Sequence, residues 1–203
     1  MSINDLFTKA NKLFKQNNHI DGLRVYKDIF SKYPQNMRLA GEVKKTTKKY
    51  KQVINQTIKD KEISNFFEMQ RQDQGTIVIK HLNKMHKRNQ NDILIISLLG
   101  TFYSLEKKYD EAIYFQKKSI EKAPFEISFY QNLSATLRQQ DKNIDALSML
   151  YFAKILSLNN KLIDLEIAKL HTLLKNYKAS DFIFSNLVKG KDLTEEIIHH
   201  YCM

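Results

Sequence analysis

A pattern of apolar and small residues recurs every 34 positions through the second half of this chain, and that period limits the fold more than any other feature. Leu99-Gly100, Ala112 and Ser119 return as Leu133-Ser134, Ala146 and Ala153, and again as Ile167-Ala168, Ser180 and Leu187. Within the clearest copy, Ile96, Leu99, Gly100 and Tyr103 form one helical stripe, and Ala112, Phe115, Ser119 and Ile120 form a second. Lys107-Lys108-Tyr109-Asp110 is a polar turn between them, and Pro124 stops the second helix. The unit therefore reads as two antiparallel helices that approach closely at Gly100 and Ala112. Tyr103 and Phe115 fill the space beside that crossing.

These residues resemble the tetratricopeptide repeat (TPR), whose pattern runs aromatic, Leu-Gly, Tyr, then Ala, Phe and Pro. Leu99-Gly100, Tyr103, Ala112 and Pro124 match; Ile96 replaces the Trp, Gln116 stands at the second aromatic, and Ser119 replaces a small Ala. The resemblance implies an all-α, right-handed α-solenoid of TPR helix-turn-helix hairpins. A degenerate opening followed by clean repeats is similar to the N-terminal region of bacterial TPR-containing proteins, where such arrays precede sulfotransferase, glycosyltransferase or oxygenase domains. A remnant of such a larger enzyme is one of the functional readings.

In chain order the units are 1–36, an N-terminal hairpin with Gly22, Tyr26 and Pro34 in place; 37–59, a basic helical connector; 60–92, a degenerate repeat; then three clear repeats at 93–126, 127–160 and 161–194. In the degenerate repeat Gly75 is assigned to the small position, and Asp92 is expected to cap the helix that follows. Gly190 is expected to cap the last repeat, and residues 195–203 begin a further unit as a truncated or capping helix.

Scarce Gly and Pro, five and two in 203 residues, suit a nearly all-helical chain. No stretch approaches the ~20 apolar residues that span a bilayer, the first residues lack a signal-peptide core, and a single cysteine precludes an internal disulfide, so a cytoplasmic location is expected. There is no phosphate loop, dinucleotide fingerprint, HExxH or paired-cysteine spacing. His199-His200 with Cys202 is the one metal-like cluster, and adjacent histidines point to different sides of a helix. No catalytic residue, cofactor or metal site is assigned, and the chain is read as noncatalytic.

Two surfaces remain. The resemblance places the contact set of a peptide or protein partner on the concave face made by the first helices, here Ser97, Thr101, Gln131, Arg138, Leu165 and Lys169. The chaperone-type carboxylate clamp of some TPR domains is disfavoured, since only Asn132 fits and Glu166 would repel a carboxylate. The second surface follows from a net charge of +11. Lys44, Lys48 and Lys51 form one basic run and Lys80, Lys84 and Lys87 another, which suits nonspecific binding of RNA, DNA or an anionic surface. Only five of the 33 basic residues are Arg, and stacking aromatics are nearly absent from both runs, so this ranks second to a protein-interaction scaffold.

Overall fold

The computed structural model describes residues 1–34, 36–157 and 160–188. They form eleven α-helices and, among the described residues, no strand. Helices α1 (Ile3–Lys15) and α2 (His19–Lys32) make a hairpin, and α3 (Met37–Tyr50) follows singly. Four further hairpins are α4 (Asp60–Arg71) with α5 (Gly75–Arg88), α6 (Ile93–Leu105) with α7 (Tyr109–Lys122), α8 (Ile127–Gln139) with α9 (Asn143–Ser157), and α10 (Lys161–Leu173) with α11 (Tyr177–Val188). Each second helix also packs on the first helix of the next hairpin, α5 on α6, α7 on α8 and α9 on α10, which is the stacking of a solenoid.

Local chemistry sets the ends of these helices. Ser2 and Asp5 form a reciprocal capping box at α1, and the Asn36, Asp92 and Asn160 side chains accept from the first turns of α3, α6 and α10. All five hairpin turns have one form. Asn17, Asp73, Lys107, Asp141 and Lys175 adopt the left-handed conformation, with φ between 56° and 59°. In each, the next residue donates back to a carbonyl five positions earlier, as Lys108 N does to Tyr103 O at 2.9 Å. From Asp73 to Lys175 these turns are spaced by 34 residues, so the repeat is visible in the backbone as well as in the sequence.

That register corrects one assignment. Gly75 is the first residue of α5, aligned with Tyr109 rather than Ala112, and its missing side chain leaves room for the Gln70 carboxamide and the Glu106 carboxylate. Val78, fully buried, takes the small position of that hairpin. Gly100 does lie at a helix crossing: a Cβ there would meet Gln116 Cγ at 2.8 Å and the Gln116 backbone nitrogen at 3.2 Å. In the basic connector, residues 37–59, the helix runs to Tyr50; from Lys51 to Lys59 the chain is irregular, with Ile58 buried beside Phe66, Val78 and Leu82. Gly190 and the segment 195–203 lie outside the described residues.

The N-terminal helices do not extend the array from its front. Helices α2 and α3 both pack on α9, deep in the second half of the chain. Phe125, on the α7–α8 connection, stands among Phe14, His19 and Tyr50 with ring centroids 6.1, 5.5 and 6.4 Å away, and one continuous core joins Phe7, Phe14 and Tyr26 to Tyr130, Phe152 and Ile163. Lys27 reaches Ser148 Oγ at 2.8 Å and lies 4.7 Å from the Phe152 ring centre, and Lys51 pairs with Glu126 at 3.3 Å. Helix α3 thus resembles a first helix without its own second helix, and α9 supplies the missing contact.

Candidate interaction surfaces

On the first helices α6, α8 and α10, side chains contact one another from hairpin to hairpin. Ser104 on α6 shares a hydrogen bond with Thr136 on α8 at 2.9 Å and donates to Gln139 Oε1 at 3.4 Å. Arg138 on α8 donates to Glu166 on α10 at 2.9 Å, and Lys169 meets the other oxygen of the same carboxylate at 3.1 Å. One carboxylate thus joins cations from α8 and α10. Behind it, Gln116 is buried and donates to Thr136 Oγ1 at 2.8 Å, tying α7 to the same set. Gln116 occupies an aromatic position of the repeat pattern, so its polar role is not readable from position alone.

Of the six side chains expected on this face, Ser97, Thr101, Gln131 and Lys169 are half-buried and Arg138 is exposed. The Thr101 hydroxyl turns back onto the Ser97 carbonyl at 3.1 Å. Leu165 is a correction: it is 1% exposed and packs with Ala168, Phe184 and Leu187, so it belongs to the core of the last hairpin. An aliphatic side chain at the place held by Gln131 one repeat earlier goes to the apolar neighbours on its own hairpin. The six basic residues are all exposed, in two separate places: Lys44 and Lys48 on α3 with Lys51 just beyond it, and Lys80, Lys84 and Lys87 on α5.

The second helices carry grooves that the sequence did not announce. One of about 690 Å³ lies between α7 and α9 over α8, and one of about 580 Å³ lies between α9 and α11 over α10. They are the same site repeated: Ile120, Leu133, Leu137, Ser148 and Met149 in the first correspond to Lys154, Ile167, His171, Phe182 and Ile183 in the second. Helix α2 borders both, with Arg24 and Lys27 at the first and Phe30 at the second. Burial depresses the Lys27 ammonium below its usual range. Burial also depresses His171, whose Nε2 lies 3.0 Å from the Tyr151 hydroxyl.

Among the described residues no three His, Cys, Asp or Glu side chains converge as metal ligands, and no helix is long and apolar enough to cross a membrane. His199, His200 and Cys202 lie outside the described residues. No known family profile matches the chain, and no curated protein matches it in sequence. Solved structures do match its fold. A crystal structure of MamA superposes over 61% of this chain and 72% of that one, with a TM-score of 0.55 and 15% identity. PilF of Pseudomonas aeruginosa covers 96% of this chain and 79% of its own, at 0.55 and 13%. A thermophilic TPR protein of Thermus thermophilus covers 99% and 97%, at 0.54 and 10%. At such identities the likeness is one of fold.

Proposed function

We propose that this chain, an all-α right-handed solenoid of TPR-type hairpins, is a noncatalytic scaffold that binds a partner protein or peptide across its first helices. The observation that supports this most is the Ser104–Thr136 and Arg138–Glu166 contacts between successive first helices. They hold α6, α8 and α10 side by side before a partner arrives, which lowers the ordering cost of binding. Ser97, Thr101, Gln131, Arg138 and Lys169 supply hydroxyl, amide and cationic groups along that surface.

The test is capture of partners from the source cell's lysate at low and high salt, with a chain carrying Gln131→Ala, Arg138→Ala and Lys169→Ala as the comparison. Discrete proteins that persist at high salt and are lost with the triple variant are the expected result. Equal capture by the variant would remove the first-helix face from the proposal.

A further inference from the structure

We propose that the face shared by the second helices α5 and α7 binds single-stranded nucleic acid, with Lys80, Lys84, Lys87, Lys118 and Lys122 on its phosphates and Tyr114 stacked on a base. This site lies on the second helices and does not depend on the first-helix scaffold.

Sequence alone gives α5 a stripe of exposed lysines, Lys80, Lys84 and Lys87, at helical spacing. The structure adds a neighbour. The His86 ring meets the edge of Phe115 on α7 at 5.6 Å, and Asn83 on α5 donates to the Tyr103 hydroxyl on α6 at 2.9 Å. Lys122 on α7 reaches back to Asn91, just after α5, at 2.8 Å. Burial first, and then the charges of Lys118 and Lys122, hold the His86 imidazole below its usual range, so the positive field of α7 is felt on α5. The preference of cations for a helix C-terminus accounts for His86, Lys87 and Arg88 in the last turn of α5. It does not account for Lys118, which stands a turn inside α7.

This is the same groove seen twice further along, displaced by one repeat. Here it is filled: Tyr103 and Phe115 stack at 5.6 Å with their planes 5° apart. Both second helices beside it carry cations, the exposed Lys80, Lys84 and Lys87 on α5 and the half-buried Lys118 and Lys122 on α7, and α7 adds an exposed aromatic ring. Tyr114 is 53% exposed, and the Lys118 ammonium stands 4.6 Å from its ring centre. Glu111 and Glu121 on α7 are the exposed acidic residues on that helix after Asp110. From Gln74 to Asn91 the chain has none. A line of cations with an exposed aromatic is the arrangement that tracks a single strand, the phosphates neutralised and a base stacked. It carries no hydrogen-bonding code, so the binding is independent of sequence.

The test is fluorescence anisotropy of a labelled oligo-dT of about 12 nucleotides with the full chain across a salt series. Five neutralised phosphates predict a slope of log K against log salt of about −3.5. Replacing Lys118 and Lys122 by Ala shortens that slope by about 1.4. Tyr114→Leu weakens binding several-fold and leaves the slope unchanged, because stacking releases no counterions. Lys44→Ala with Lys48→Ala, in the other basic run, changes neither. Melting curves confirm that each variant folds. The proposal is overturned by no binding at low salt, by a slope that follows Lys44 and Lys48 instead, by indifference to Tyr114→Leu, or by binding of phosphatidylserine vesicles without binding of the oligonucleotide.

Discussion

Five turn residues carry a conformation that residues other than Gly, Asn and Asp resist, and they are not equally suited to it. A left-handed backbone costs an ordinary residue roughly 1–2 kcal/mol, while Asn and Asp tolerate it through local hydrogen bonding. Lys107 and Lys175 have no such relief, whereas Asn17, Asp73 and Asp141 do. Lys107→Gly should therefore stabilise the fold by up to about 1 kcal/mol, and Asn17→Gly by less. Urea unfolding of the two variants decides it; a larger gain at Asn17 would contradict the account. Histidines give a second effect at this scale. Burial depresses His19, His86 and His171 below the usual value of 6.5, so the folded chain keeps them neutral where the unfolded chain takes up protons. Stability from this source is full above pH 6.5 and is lost as the pH falls through the folded values. Melting temperature should decline from about pH 7.5 to pH 5.5, and His171→Gln should make the decline shallower. An identical decline in the variant would show that His171 takes no part. Asp5 and Asp21 are depressed from 3.8, through hydrogen bonds from Ser2 and from Asn18, and act only in a lower window.

Among the elements, α3 and the segment after it explain how the chain departs from a plain linear array. The sequence shows where the hairpins are because Leu99-Gly100, Ala112 and their successors depend on neighbours within one repeat. It does not show that α2 and α3 come to rest on α9, because Phe14, Tyr50 and Phe125 look like ordinary core residues wherever they pack. Gly75 misleads because residue type alone carries no register, which the turn at Asp73 fixes, and Leu165 because the same register position holds a polar Gln131 on the surface and an aliphatic side chain in the core. Arg138 and Lys169 are legible as surface groups on first helices. That both meet Glu166 is not, since the pairing joins two hairpins. Phe125 is the residue on which the closure most depends, being 2% exposed and in contact with rings from α1, α2 and α3's last turn. Phe125→Ala should cost about 3–5 kcal/mol and loosen the N-terminal helices from the array before the array itself unfolds. Limited proteolysis reads this directly: cleavage between Lys51 and Lys59 should accelerate in the variant, and cleavage spread evenly over the chain would argue against a hinge there.

For the whole molecule, the question is where the cooperative centre lies. In a one-dimensional array stability is a sum over nearest neighbours, so the most protected hairpin is the middle one and protection falls toward both ends. Counted along the chain, that middle is α6 and α7. The fold-back moves it. Helix α9 contacts α8 and α10 within the array and α2 and α3 from the N-terminal unit, so both parts of the molecule pack on it. Its buried residues Leu150, Phe152, Ala153 and Ile155 belong to the core that also holds Phe7 and Tyr26. At the other extreme, α4 buries only Phe66 fully, and no preceding helix stacks on it as α5 stacks on α6. Native-state hydrogen exchange should accordingly find the slowest amides in α9, opening only with global unfolding, and fast exchange in α4 through local opening. In Phe125→Ala the maximum should fall and move toward α7 and α8, because α9 then loses the contacts that α2 and α3 bring. A protection profile centred on α6 and α7 in the unaltered chain would mean that the N-terminal helices add no cooperativity, and that the array behaves as a linear stack.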